Sequence, residues 1–402
     1  MFSDDRVQNR CRSHNAAVRE VTIRRRWDAD ELLDEVDRSL LVSGGEKRVR
    51  NRLMCEEVAR TSLYSGKPCV VFSGDGGVEE ELIRRAERGE TGELYICGGS
   101  YPEYDFFCGM DPSAAARFIA HTAELCGSRD SARLHGYASA FLRVLKATAG
   151  RPPSFSDITE FARENSDTAV AAQARSLGLT TEYDALSDPL GGGEMRTVLV
   201  SLEYAFSSLR TPSCRTRFSL TSALSPPSKA LASPCVIFIK PRTPSPDILG
   251  AYFAAVFSSL CADSFAFFID DVPLLGCDEF ASALGRMKER GQAVVSFFTE
   301  NACLYRNDEL RAHFSRHIIF PDGSADSADL QALLDTFGTY TAFDVGEGTQ
   351  KPAHFLFSLE RSPQKNTVTY SRPKLLAEEA FGYDAVVKGH NMAEICLVGK
   401  FG

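Results

Sequence analysis

The strongest constraint on what this chain can fold into is an alternation. Short apolar runs, most of them closed by a turn residue, are followed by segments of helical spacing, in two separate blocks of the sequence. In the first block, "RSLLVSGG" (Arg38 to Gly45) precedes "EKRVRNRLMCEEVARTSLYSG", whose apolar positions Val49, Leu53 and Val58 are spaced for a helix that stops at Gly66. "KPCVVFSGDGG" (Lys67 to Gly77), "VEEELIRRAERG" and "ELYICGG" (Glu93 to Gly99) then repeat strand, helix, strand. The second block reads "CVIFIK" (Cys235 to Lys240), a helix from Pro246 to Ala262, the strand "FAFFI", and a helix through "EFASALGRMKERG". It continues with strands at "AVVSFF" (Ala293 to Phe298) and "HIIF" (His317 to Phe320), the helix "SADLQALLDTFG" and the strand "AEICLVG" (Ala393 to Gly399). Strands apolar along their whole length need cover on both faces, so this order predicts an α/β fold with a parallel sheet between layers of helices.

Between the blocks, from Asp111 to about Leu179, every segment has helical spacing and no strand signal interrupts. An all-α subdomain inserted into the sheet domain is the simplest arrangement. The expected division is an N-terminal extension over 1–37, a sheet domain from 38–110 and 191–402, and an all-α subdomain over 111–190. The glycines and prolines of Gly191 to Pro234 suggest a loop or lid.

A chain of 402 residues, 44% hydrophobic and 25% charged, has the balance of a soluble globular protein. Its net charge of -9 argues against a surface basic all round, so contact with nucleic acid would need local patches such as "TIRRRW" (Thr22 to Trp27) or "KRVRNR" (Lys47 to Arg52). Solvated faces of a helix or strand explain the same runs. The twelve cysteines include no C-x-x-C pair, which fits a reducing cytoplasm and gives no zinc ribbon. The polar start "MFSDDRVQNRCRSHN" is not expected to be a signal peptide. The apolar stretch Ile248 to Ile269 is broken by Asp263 before it reaches the roughly twenty residues of a membrane span, so it reads as a buried helix and then a buried strand.

The chemistry concentrates at strand ends. "FFIDDV" closes a buried strand with Asp270 and Asp271, and the carboxyl ends of parallel strands form the rim where ligands bind. In P-loop enzymes the acid at this position holds Mg²⁺ and a neighbouring acid orients or deprotonates water; a pair of aspartates that caps the following helix is the alternative. "LLVSGGEKRVRN" stands where a phosphate loop would precede its helix, offering Gly44, Gly45 and Lys47. It is short, it lacks the first glycine of G-x-x-x-x-G-K-[ST], and Arg48 replaces the hydroxyl. "SGDGG" (Ser73 to Gly77) reads as a turn and not as a dinucleotide loop, and His313 and His317, four apart, could share a helical face without forming a metal site.

In order, these pieces resemble the ATPase domain of the TraG/TraD-like coupling proteins of type IV secretion, membrane-associated hexameric motors that pass DNA and protein to a conjugation channel. "FFIDDV", Gly276, "GRMKERG", "AVVSFFT" and "LLDTFGTYT" match that family's acid strand, glycine, basic helix end, glutamine strand and closing helix. "SRPKLLAEEAFGYDAVV" with "EICLVG" resembles its last helix and strand, and "KPCVVFSGDGGVEEEL" its second strand and acidic turn, with Asp75 as the acid. The resemblance runs from about Arg38 onward and implies a RecA-like P-loop NTPase sheet with an inserted all-α subdomain.

By that resemblance, ATP and Mg²⁺ would be the cofactors, with Gly44, Gly45, Lys47 and Arg48 at the phosphates and Asp270 at the metal. Asp271 would act on water, Thr299 stands at the family's glutamine, and Glu300 is beside it. The departures point to a degenerate ATPase-like subunit that recruits substrate or partners among conjugation proteins. An active DNA-translocating ATPase and a nucleotide-free adaptor are the alternatives. The resemblance also implies a homo-oligomeric ring, DNA contact through the basic segments, and a cytoplasmic location joined to the membrane through partners.

Overall fold

The computed structural model describes residues 2–19, 21–24, 39–97, 103–104, 107, 110–150, 153, 155–164, 167–205, 217–218, 235–240, 246–258, 265–270, 282–286, 289, 294–299, 313–320, 339–348, 364–373, 385–388 and 395–398. The chain divides into two compact units, Leu33–Ser315 and Met1–Leu32 with Arg316–Gly402.

In the larger unit the apolar runs become strands β1 (Leu40–Gly44), β2 (Cys69–Phe72), β3 (Glu93–Cys97), β4 (Cys235–Ile239), β5 (Ala266–Asp270) and β6 (Val294–Thr299). They pair in the order β1-β6-β5-β2-β4-β3, and each of these pairings is parallel. β1, β2, β4, β5 and β6 are buried at each residue. This is what two-sided helical cover demands, and it explains why these runs show no polar alternation. Helix α1 (Lys47–Tyr64) follows β1 and lies against β2, β5 and β6, while α2 (Gly76–Glu87) follows β2 and lies against β3.

The helical block contains α3 (Pro112–Leu125), α4 (Ser131–Ala149), α5 (Phe155–Glu164), α6 (Asp167–Ser176), α7 (Thr180–Leu186) and α8 (Pro189–Ala205). Asp111 and Asp130 cap α3 and α4 through side-chain acceptors, and Gly150, at φ 65°, ends α4 in the left-handed conformation that glycine adopts without strain. Helix α9 (Pro246–Ser258) joins block and sheet: Tyr252 meets Phe118 of α3 edge-on at 5.8 Å, and Phe253 meets Phe72 of β2 at 4.8 Å. These side chains are fully buried, and each such ring contributes on the order of 2–3 kcal/mol of apolar burial. The stretch Ile248 to Ile269 thus begins as a buried helix and ends as the strand β5, as its broken hydrophobicity implies. No described helix is long and apolar enough to cross a membrane.

The expected loop at Gly191 is instead helix: α8 runs through the three glycines. Asp188 Oδ1 accepts from the Leu190 amide at 3.1 Å to start it. Gly191 sits against α4 so closely that a Cβ there would lie 2.8 Å from the Tyr137 ring. A glycine read locally as a helix breaker is here the small residue that a helix crossing requires.

In the smaller unit Val21–Arg24 pairs parallel with Ile395–Val398, which pairs antiparallel with Ala385–Lys388, itself antiparallel to Arg316–Phe320. The parallel pattern therefore does not extend through this unit, where the sheet is mixed. Thr339–Gly348 and Gln364–Pro373 form a ten-residue antiparallel ladder, with helix Phe2–Arg19 lying against its first strand. His317 belongs to the strand Arg316–Phe320, so it cannot share a helical face with His313. The expected helix "SADLQALLDTFG" lies outside the described residues.

Candidate functional site

Parallel pairing brings the carboxyl ends of β1, β6, β5, β2 and β4 to one rim of the larger unit's sheet. β1 ends on Gly44, and its Ser43 is in register with Thr299 at the end of β6. Asp270 ends β5, and in register with it on one side is Phe298. On the other side Ile269 pairs with Phe72, which places Ser73 next to Asp270. One strand, β6, separates the glycine-ended strand from the acid-ended one.

At the end of β1, Gly44 and Gly45 both have positive φ, 72° and 70°, a pair of conformations that side chains strongly disfavour. Only Gly45 and Glu46 separate β1 from α1, and Glu46 makes no side-chain cap bond. Arg50, one turn into α1 and 1% exposed, turns back on this link. Its Nη1 donates to the Gly44 carbonyl at 3.1 Å and to the Gly45 carbonyl at 2.6 Å. The run "KRVRNR" is therefore split by the helical period: Lys47 and Arg48 are exposed, whereas Arg50 is buried under the loop.

At the end of β2, Ser73 Oγ donates to Asp270 Oδ2 at 2.6 Å and accepts from the Asp75 amide at 3.1 Å. Asp75 caps α2, accepting from the Gly77 amide at 2.6 Å, and its other oxygen lies 3.2 Å from Lys47 Nζ. Burial by itself would raise the Asp75 carboxyl pKa. The Gly77 amide, the Asn51 side chain and the Lys47 ammonium together outweigh that and hold it below the ordinary 3.8. At the end of β4, Lys240 Nζ reaches Glu79 Oε2 at 3.4 Å. The turns after β1 and β2 and the acid of β5 are thus joined by side chains of the rim itself.

The sequence-derived residues fall as follows. Gly44, Gly45, Lys47, Asp270 and Thr299 lie on this rim, with Arg48 exposed on the first turn of α1; Asp271 and Glu300 lie outside the described residues. Sequence reasoning missed Ser73, Arg50 and Asn51. Ser73 could have been found from register, since residues just past neighbouring parallel strands share a rim; nothing local marks Arg50 as buried. The group implied for such a rim is a magnesium nucleotide, for which Lys47 and Asp270 stand in place while the link between β1 and α1 and the hydroxyl position depart from a P-loop. The link of Gly45 and Glu46 is too short to wrap successive N–H groups around a phosphate, an exposed Arg48 replaces the hydroxyl, and Asp270 Oδ2 is engaged by Ser73, while Arg50 fixes the Gly44 and Gly45 carbonyls from below. The described residues of this rim depart from the P-loop pattern in link length and in the hydroxyl position. Lys47 is the part most easily redirected, because its side chain is 51% exposed and a surface ion pair is worth only about 0–1 kcal/mol.

No protein-family model and no curated protein matches the sequence. Solved structures do match. The bacterial conjugative coupling protein TrwBdeltaN70, in its unbound monoclinic form, aligns with a TM-score of 0.53 at 15% identity over 91% of this chain and 85% of that one. The chain has the fold of a conjugative coupling protein. The trigonal form of the same protein in complex with sulphate gives 0.51 at 14% identity over 93% and 92% of the two chains. TrwB in complex with the ATP analogue ADPNP gives 0.50 at 15% identity over 90% and 84%. A coupling-protein fold is a RecA-like P-loop α/β fold, in agreement with the β1-β6-β5-β2 order of the rim described above.

Proposed function

We propose that this protein is a coupling-protein-like component of conjugative transfer or type IV secretion, working as a degenerate ATPase-like subunit. In this reading it recruits substrate or partner proteins through the helical subdomain at 111–190 and does not drive transport by nucleotide turnover. The observation that carries it is the link of only Gly45 and Glu46 between β1 and α1, too short to wrap successive N–H groups around a phosphate, followed by Arg48 in place of the hydroxyl. Phosphoryl transfer depends almost wholly on positioned donors and a metal, so loss of the cradle costs orders of magnitude in rate. Buried thiols outside any disulfide at Cys55 and Cys235 suit the cytoplasmic side, with attachment to the membrane through partners. Assembly into a ring, and DNA contact through Lys47, Arg48 and neighbouring basic residues, remain part of the proposal.

The half-exposed Lys47 favours a second reading, an active enzyme in which Lys47 leaves Asp75 for a γ-phosphate and Asp270 takes Mg²⁺. Calorimetric titration with ATP and Mg²⁺, with Lys47→Ala alongside, and a turnover assay separate the two. The degenerate reading expects no Mg²⁺-dependent turnover. Turnover abolished by Asp270→Ala would overturn it in favour of the second.

A further inference from the structure

Helices α6 and α7 form a hairpin around Leu177–Leu179. The turn is closed by the Leu179 amide on the Ala174 carbonyl at 2.9 Å and the Gly178 amide on the Arg175 carbonyl at 3.1 Å, with Gly178 at φ 73°. This cap fixes the register of the two helices and sets Arg175 against Tyr183, the guanidinium carbon lying 5.9 Å from the ring centre. Beside that pair is a cleft of about 330 Å³, within the size range of small-ligand pockets. Ala171, Ala172 and Leu186 line it together with that pair, and Thr168 and Ser187 add hydroxyls. Leu186 is fully buried, so the surface open to a ligand beside Arg175 is chiefly that of Ala172 and the Tyr183 ring.

The charges around the cleft are unbalanced. Among the described residues no carboxylate lies within ion-pair distance of Arg175. Glu182, on the same short helix as Tyr183, instead pairs with Arg143 of α4 at 3.2 Å. The aromatic ring orients the guanidinium without neutralising it, and the planar fork of arginine matches a carboxylate. A single cation over apolar walls balances one negative charge and leaves a phosphate dianion uncompensated.

We propose that this cleft is a binding site for a monocarboxylate carried on a small aliphatic body, with Arg175 on the carboxylate and Ala172 and the Tyr183 ring against the hydrocarbon. The ligand is either a free acid or the C-terminal residue of a polypeptide, which present the same chemistry. The site does not depend on any reading of the phosphate loop, and its test does not touch that loop.

The test is ligand-observed NMR titration of the full chain with N-acetyl-leucine, with N-acetyl-leucinamide, and with a short acetylated peptide ending in a free leucine carboxylate. The acid binds in the millimolar range, the amide at least about tenfold more weakly, and Arg175→Gln loses about tenfold in affinity. Ala172→Phe, which fills the cleft from an exposed position, abolishes binding. A peptide that binds tighter than the free acid assigns the ligand to a polypeptide terminus; equal affinity assigns it to a free acid. Failure of the acid to bind, equal binding of acid and amide, affinity unchanged by Arg175→Gln, or binding retained by Ala172→Phe overturns the proposal.

Discussion

Ser73 Oγ donates a 2.6 Å hydrogen bond to Asp270 Oδ2 across the seam between β2 and β5, and both residues are buried. A carboxylate taken from water needs donors, and here a neighbouring turn supplies one. Ser73→Ala removes it and should cost about 1.5–3 kcal/mol, whereas Ser73→Thr, which keeps the hydroxyl, should cost less. Urea unfolding of the two variants checks the difference.

Arg50 is the second tie of the rim. Arg50→Met keeps much of the packing but leaves the Gly44 and Gly45 carbonyls without their buried donor. A loss of about 2–4 kcal/mol is expected by chemical denaturation, with Arg50→Lys intermediate because the shorter side chain keeps a charged donor but not the planar guanidinium geometry that aims both Nη1 hydrogens at the two carbonyls.

Two glycines two residues apart should respond in opposite directions. A Cβ at Gly191 would lie 2.8 Å from Tyr137, so Gly191→Ala forces the α4–α8 contact apart at about 1–3 kcal/mol. Gly193 is exposed, and a Cβ there would meet no atom within 4 Å, so Gly193→Ala should stabilise α8 by up to about 1 kcal/mol. Thermal melts of both single variants decide it.

The Asp75 carboxyl is held below its ordinary 3.8. A depressed folded-state pKa gives stability that is present above the unfolded pKa and disappears as pH falls through the folded one. Asp75→Asn keeps an N-cap acceptor and removes the charge, so wild type should exceed it by less than about 1 kcal/mol near neutrality. The two should converge below about pH 4 in a pH series of denaturant midpoints.

Burial pushes the Cys55 thiol up to about 12 and the Cys235 thiol up to about 11, while Cys126 is exposed. Since the thiolate is the reactive form, Cys126 should be modified by a disulfide reagent at mildly alkaline pH while Cys55 and Cys235 stay protected until the chain unfolds. Mass mapping of the labelled cysteines reads this directly.

The alternation of fully apolar runs with helix-length segments determined the larger unit: six strands stand where apolar runs stood, because only a sheet covered on both faces hides them. The position of the rim residues was also legible, since strand ends in a parallel sheet must share an edge. Tertiary structure alone decided what those residues do. Whether a basic residue in "KRVRNR" meets water or a loop carbonyl depends on which helix face the sheet covers, and Arg50 falls on the covered one. Whether the glycines at 191–193 break a helix or admit one depends on Tyr137, which lies more than fifty residues earlier in the chain. The mixed pairing of Val21–Arg24, Ile395–Val398 and Ala385–Lys388 likewise joins segments from opposite ends of the chain, and no local period records such a partner.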